Sequence, residues 1–378
     1  MWNLAEIKQK KNYVLERLKA NISDEEKEKL ELSLITYLSL LDNSGTVRYT
    51  QFHNFMDYIT KNKFSLIKDQ KYSSMESAYI QKRLPFLTDD YLNFLIQLVV
   101  DIYNSKTELS SLGEKTYSKF TFSQEQLVEI SKKFYEELND EEITNLSKKV
   151  LNDSTGLNFS RNTRTFFKDY GGLTFYDYIF NKAYCNIHQA DNYFDIQATN
   201  HEVMHGIDSY FNPKIESEYY YGFHEVPTYT IDYLFLDFLE KNGFEKEEID
   251  KLRLEKEKYI YYLSLSVLNQ IRLKIRGVSK KLKEEKVNVA NELKQILTFD
   301  LIKNLLEIES GVIARGFYNQ IIYNSKEGIN NLKRFMKNGL PKDQILDFSV
   351  YGLPNETLLE IAKMSETLEV ENNKTNGL

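Results

Sequence analysis

A single cysteine, Cys185, in 378 residues excludes an intramolecular disulfide and any zinc cluster built on several thiolates. Five prolines and 15 glycines are few for this length, and a chain so poor in turn formers favours long helices over many short strands. No uninterrupted apolar run is long enough to cross a bilayer. The first twenty residues, MWNLAEIKQKKNYVLERLKA, hold no apolar stretch of the secretory kind. These absences predict a soluble, cytoplasmic protein with no membrane partner. The formal net charge of −7 is mild and mixed in sign, so there is no basic footprint and no nucleic-acid partner is expected. No glycine-rich loop precedes a helix, and Cys185 lacks the neighbours of a nucleophile, so phosphate-loop and thiol chemistries find no support. No feature specifies an oligomeric state.

What remains is a globular composition, 42% hydrophobic and 13% aromatic, with 27 Tyr and 23 Phe. Residues 1–150 read as an N-terminal helical lobe. Ser23-Asp24-Glu25-Glu26 fits a capping box ahead of Leu30, Leu34, Tyr37, Leu38 and Leu41. A second amphipathic stretch runs from Tyr49 to Ile59 and holds His53, the lobe's one histidine. The run DDYLNFLIQLVVDIY (89–103) reads as a buried helix, Ser123-x-x-Gln126 opens another, and Asp140-Glu141-Glu142 places acids at the positive end of the next. Between about 151 and 187 the texture changes. Asn152-Asp153, Gly156 and Gly171-Gly172 break the helical period, and LTFYDYIF (173–180) and AYCNI (183–187) read as strands. The helical period returns from Tyr193 to Asn212-Pro213 and again through Ile231, Leu234, Phe235 and Phe238 to Asn242-Gly243. Further helices follow, with an exposed charged segment at 280–286 and a frayed tail, ENNKTNGL. The predicted fold class is mainly α, with a small β-sheet beside the helix that follows it, and residues 151–378 form the second lobe.

That helix carries His201-Glu202-Val203-Met204-His205. Residues four apart share a helix face, so both imidazoles can reach one ion, while Glu202 sits about 100° further round, able to meet water without ligating. Zinc is the expected cofactor: it lowers the pKa of water to roughly 7, and a carboxylate takes the proton as the water attacks a carbonyl. Val203, Met204 and Ile207 give the helix an apolar side, unlike a solvated face. A catalytic zinc takes a third protein ligand and keeps one position open. Glu225, 24 residues beyond His201, is suited to this role, because Pro227 is tolerated in the first turn of a helix and two antiparallel helices would bring Glu225 opposite the histidine pair. Asp208 is the main rival ligand, on the same helix as His205; His224, beside Glu225, is a weaker rival or a loop histidine.

The two segments resemble the thimet oligopeptidase and oligoendopeptidase F family of zinc metallopeptidases, in which an H-E-x-G-H helix is followed by one opening E-x-P-S-x-x-x-E or E-x-A-S-x-x-x-E. Here the second block reads Glu225-Val226-Pro227-Thr228-Tyr229-Thr230-Ile231-Asp232, at a similar spacing. Phe194-Asp195-Ile196-Gln197 is similar to the family's acidic lead-in, and NLKRFMKNGLPKDQILDFSVYGL resembles its closing helices. The resemblance implies a zincin-like helical metallopeptidase fold, zinc held by His201, His205 and Glu225, and Glu202 as the base. It also implies that Asp232, where the family has Glu, holds a ligand histidine in its tautomer.

The chain departs from the family in three places. Met204 stands where the family has glycine, much of the family's N-terminal half has no counterpart, and Leu297 to Gly311 lacks the His and Tyr that stabilise the tetrahedral intermediate. An oxyanion donor can be worth about 3 kcal/mol, so another group must supply one. The candidates are Tyr318, Tyr323, His224 and the Tyr219-Tyr220-Tyr221 run. His188 reads either as a substrate contact on a sheet edge or as a hydrogen-bonded structural histidine. The expected function is a zinc endopeptidase acting on oligopeptides or small protein substrates. The alternatives are a catalytically weak or silent relative that binds peptides with zinc in place, and a helical interaction protein in which the motif is accidental.

Overall fold

The few turn formers leave long helical runs, and most of them carry caps that can be traced to single residues. The computed structural model describes residues 3–43, 87–111, 117–160, 172–211, 223–275, 289–338 and 348–364. The stretch from Tyr49 to Ile59 with His53, Gly171, Asn212-Pro213, Tyr219-Tyr220-Tyr221, the charged segment 280–286 and the tail ENNKTNGL lie outside them. Helices α1 (Leu4–Arg17) and α2 (Asp24–Asn43) come first, and the Ser23 hydroxyl accepts the Glu26 N–H at 3.2 Å. Helix α3 (Asp89–Ser105) starts at Thr88, whose hydroxyl accepts the Tyr91 N–H, and it is buried along most of its length, as its apolar run predicts. Helix α4 (Gln124–Glu137) opens on the reciprocal capping box of Ser123 and Gln126, and α5 (Glu141–Leu151) on Asp140.

Three strands follow: β1 (Leu157–Ser160), β2 (Gly172–Asp177) and β3 (Lys182–His188). Strand β3 is central, parallel to β1 and antiparallel to β2, with Cys185 level with both Leu157 and Thr174. Alternation along β3 splits its side chains between two layers. Ala183, Cys185 and Ile187 enter the main core, while Tyr184 enters a smaller one made with Ile7, Val14, Leu34 and Tyr37 of α1 and α2. Burial on both faces explains why AYCNI is apolar nearly throughout. Thr36 of α2 also donates to the Tyr176 carbonyl at 2.7 Å, and the Tyr37 hydroxyl bonds to the buried Asp177 carboxylate, joining α2 to the sheet.

The remaining helices are α6 (Phe194–Phe211), α7 (Glu225–Lys241), α8 (Lys246–Lys274), α9 (Ala290–Ile296), α10 (Phe299–Tyr323), α11 (Ser325–Asn338) and α12 (Asn355–Lys363). Helix α7 stops at Asn242 and Gly243, the latter at φ +76°, where glycine is at ease. Twelve α-helices and one three-stranded sheet, among the described residues, make the protein mainly α with a small mixed sheet, as the sequence predicts. No described helix is long and apolar enough to cross a membrane. Helix α6 lies between the sheet and α7, and this sandwich positions the site.

Candidate metal centre

Helix α6 can lie close to the sheet because it presents Gly206 there: a Cβ at that position would come within 3.2 Å of Cys185 Sγ and 3.1 Å of Val150 Cγ2. Val203, Met204 and Ile207 are fully buried, so the bulk of Met204 is absorbed by the core. With those faces spent, helix periodicity leaves His201 and His205 on the side turned to α7. Their rings lie 4.8 Å apart, nearly perpendicular.

Glu225, the first residue of α7, meets them there. Its Oε2 lies 3.4 Å from His201 Nε2 and 3.5 Å from His205 Nε2, and one donor atom from each residue lies within 4.8 Å of the others. Donors on a tetrahedral zinc, at bonds of about 2.0–2.1 Å, stand roughly 3.3 Å apart, so both Glu225–imidazole separations suit an ion between them. The charge balance agrees. Burial by itself would raise the Glu225 carboxyl, yet the imidazoles of His205 and His224 and hydrogen bonds from His201 and His205 hold it well below the usual carboxylate range. His201, His205 and Glu225 can therefore hold a metal ion. Asp208 is buried on α6 but does not join this group.

Glu202 sits on the sheet side of α6, 4% exposed. Its Oε2 accepts the Thr174 hydroxyl at 2.7 Å, and the same hydroxyl reaches its backbone carbonyl at 3.0 Å. The carboxylate fits against β2 because the strand begins with glycine: a Cβ on Gly172 would come within 2.4 Å of Glu202 Cγ and 2.7 Å of the Asn186 carbonyl oxygen. Burial raises the Glu202 carboxyl above its ordinary value, against the pull of His205, His201 and the Thr174 hydrogen bond. Two glutamates of one site are thus driven apart, one held ionised and one made a better base.

Asp232 lies two turns along α7 from Glu225, and its Oδ2 is 3.1 Å from His201 Nδ1. The same oxygen receives the Lys256 ammonium of α8 at 2.6 Å. His224 immediately precedes α7, with Nε2 3.0 Å from Glu225 Oε1 and its ring 5.4 Å from that of His205. Tyr229, one turn beyond Glu225, has its ring 6.0 Å from that of His201 and donates to Glu307 of α10 at 2.6 Å. Tyr259 of α8 reaches the same Glu307 oxygen at 3.2 Å.

The other residues singled out from the sequence lie elsewhere. His188 ends β3 with Nε2 2.9 Å from Asn186 Nδ2, and burial lowers its pKa. Tyr318 donates to Asp237 at 2.8 Å, and Tyr323 is 94% exposed at the end of α10. Asp195, in the lead-in to α6, uses its buried carboxylate to accept the Ala190 and Asp191 N–H groups, at 2.6 and 3.0 Å, which anchors the turn before the helix. Sequence reasoning missed Lys256, Thr174, Gly172 and Tyr229. Only Gly172 carried a signal, as half of a glycine pair bordering a strand.

No protein-family model matches the chain, and no curated protein matches it. Among solved structures it is similar to a protein designated an oligoendopeptidase F, from Bacillus anthracis str. Ames, at 14% identity and TM-score 0.44, over 90% of this chain and 63% of that one. It is also similar to PZ peptidase A with an inhibitor, at 13% identity and TM-score 0.45, over 90% and 66% of the two chains. A protein designated a peptidase, from Chlamydophila abortus, is similar at 16% identity and TM-score 0.45, over 86% and 62%. The chain spans less than two thirds of the length of each.

Proposed function

We propose that this protein is a zinc-dependent endopeptidase that hydrolyses peptide bonds in oligopeptides or small protein substrates. One observation carries the reading: two imidazoles of one helix and a carboxylate of another converge within 4.8 Å, the carboxylate at tetrahedral-edge distance from both imidazoles, with a buried glutamate next to the first histidine. His201, His205 and Glu225 would hold the ion, which when bound supplies Lewis acidity toward the scissile carbonyl and lowers the pKa of water.

The rest is the work of this chain's own side chains. Glu202 takes the proton of the attacking water, and its raised pKa brings it nearer to neutrality, where a general base is most effective. It then returns that proton to the departing amine. Thr174 fixes the carboxylate so that one oxygen is engaged and the other can face the reaction. Asp232 holds His201 through Nδ1, which leaves Nε2 directed to the Glu225 side. For the oxyanion we propose His224, whose imidazole Nε2 lies 3.0 Å from Glu225 Oε1. A second reading, a zinc-containing peptide-binding protein with little turnover, is favoured by the engagement of the Tyr318 hydroxyl with Asp237 and the outward position of Tyr323.

The two readings separate in one experiment. Purified protein is expected to carry one zinc per chain and to cleave members of a peptide library. Glu202→Gln is expected to retain the zinc while cleavage falls about 10²–10⁴-fold, the usual worth of a general base. Stoichiometric zinc with peptide binding but no turnover above the Glu202→Gln level establishes the second reading, and absence of zinc removes both.

A further inference from the structure

Lys256 is an unusual neighbour for a metal centre, because it brings a positive charge to within one residue of a ligand. It stands on α8 with its side chain 8% exposed, and its ammonium lies 2.6 Å from Asp232 Oδ2. The same nitrogen sits over the Tyr229 ring at 4.2 Å and the Tyr233 ring at 4.9 Å. Asp232 Oδ1 is buried and has no hydrogen-bond partner among the described residues, so the orientation of this carboxylate depends on what Oδ2 contacts. His201 Nδ1 at 3.1 Å is the longer of its two attachments, and the lysine is the shorter.

We propose that Lys256 is a positioning residue of the metal centre: by gripping Asp232 it fixes the carboxylate that orients His201, and so sets the affinity for the divalent cation without touching a ligand. The inference rests on the reading of the centre as a metal site. The physical case has three parts. An aspartate carboxylate turns readily about its terminal torsion, whose preference is broad, so a single weak contact would not hold it. A charge-assisted bond of normal length does hold it. The lysine is itself confined between two aromatic faces in a desolvated site, where cation–π attraction is strongest. Partners one step behind the ligands commonly govern metal affinity by about 10–100-fold, through the tautomer and direction of the histidine they hold.

A plain structural ion pair would make a different prediction, and zinc affinity distinguishes the two. The full chain is stripped of metal, and the zinc Kd is measured by competition with a chromophoric chelator. Unfolding of the metal-free protein is followed in parallel. Lys256→Met is expected to raise the zinc Kd about 10–100-fold, and Lys256→Arg to recover most of that loss. The absorption spectrum of the Co²⁺-loaded Lys256→Met protein is expected to differ from wild type, because the His201 ring is no longer held. A Lys256→Met protein that is less stable without metal but binds zinc within twofold of wild type overturns the proposal, and the lysine is then only a structural pair. If the methionine variant does not fold, Lys256→Gln, which keeps bulk and a donor but no charge, is measured against the same two outcomes. Failure of the metal reading itself appears earlier and separately, as wild-type protein that binds no zinc.

Discussion

Asp232 and Glu309 are both almost fully buried carboxylates, each with one oxygen that finds no partner among the described residues, yet the fold leaves them in opposite states. Asp232 lies between a histidine and a lysine. Burial would raise its carboxyl, but Lys256 and His201 bring it below the ordinary value. Glu309, on α10, has the Tyr91 hydroxyl of α3 and, among the described residues, no cation against it, and burial pushes it up to about 8. At Glu309 burial converts a carboxylate into a neutral acid, whereas at Asp232 the cation placed against it keeps the charge. The cation at Asp232 is next to the proposed reaction centre, whereas Glu309 accepts the hydroxyl of Tyr91. Glu202 is intermediate: buried and raised, but within reach of two imidazoles and held by a threonine.

The largest effect is expected at Asp232. Asp232→Asn leaves Lys256 buried without its counter-charge, and stranding one member of a buried pair costs about 3–5 kcal/mol. Urea unfolding of the metal-free protein is expected to show a loss of that size, with weaker zinc binding in the same sample. A variant as stable as wild type would mean that the lysine finds water or another carboxylate. At Glu202 the comparison is sharpened by a change on the strand. Gly172→Ala places a methyl 2.4 Å from Glu202 Cγ, so the carboxylate or the strand must shift. Misplacement by about 1 Å can cost about 10²-fold in turnover. The expected outcome is a loss of that order in peptide cleavage at unchanged zinc content, which assigns the defect to the base and not to the ligands.

Much of the frame was legible because it is local. Ser123 with Gln126, Asp140, and the Asn242-Gly243 stop are signals read within one helical turn, and each marks an observed end. The convergence of His201, His205 and Glu225 was legible for a similar reason: two of the three are fixed by helix periodicity, and Pro227 placed the third at a helix start. Lys256 was not. It stands in KLRLEKEKYIYY, where lysines and glutamates alternate, and α8 buries Lys251, Glu257 and Lys258 as well. Which of these charges turns toward the centre is decided by α7, not by anything nearby in sequence. Thr174 and Gly172 were hidden likewise, since a short strand does not show which helix residue will lie against it. Glu309 is one of two glutamates in LLEIESG, and only its contact with Tyr91, 218 residues earlier, distinguishes it from Glu307.

At Glu309 the expected effect is a dependence on pH. In the unfolded chain its carboxyl ionises near the ordinary glutamate value of about 4.3, whereas in the fold it keeps its proton up to about 8. Across that window the folded state binds more protons than the unfolded one, so stability falls as pH rises. The support is fully present below the unfolded pKa and lost as pH passes through the folded one. Each pKa unit of difference corresponds to about 1.4 kcal/mol, so the slope contributed by this one group is on the order of 1 kcal/mol per pH unit at most. Glu309→Gln is neutral at every pH, retains an oxygen to accept the Tyr91 hydroxyl, and removes the slope. All other titrating groups are common to both proteins, so the difference between them isolates Glu309. The variant is expected to be close to wild type in urea at pH 5 and measurably more stable at pH 8. An advantage that does not grow with pH would show that Glu309 titrates normally, and that a tyrosine can serve a buried carboxylate as well as the lysine does at Asp232.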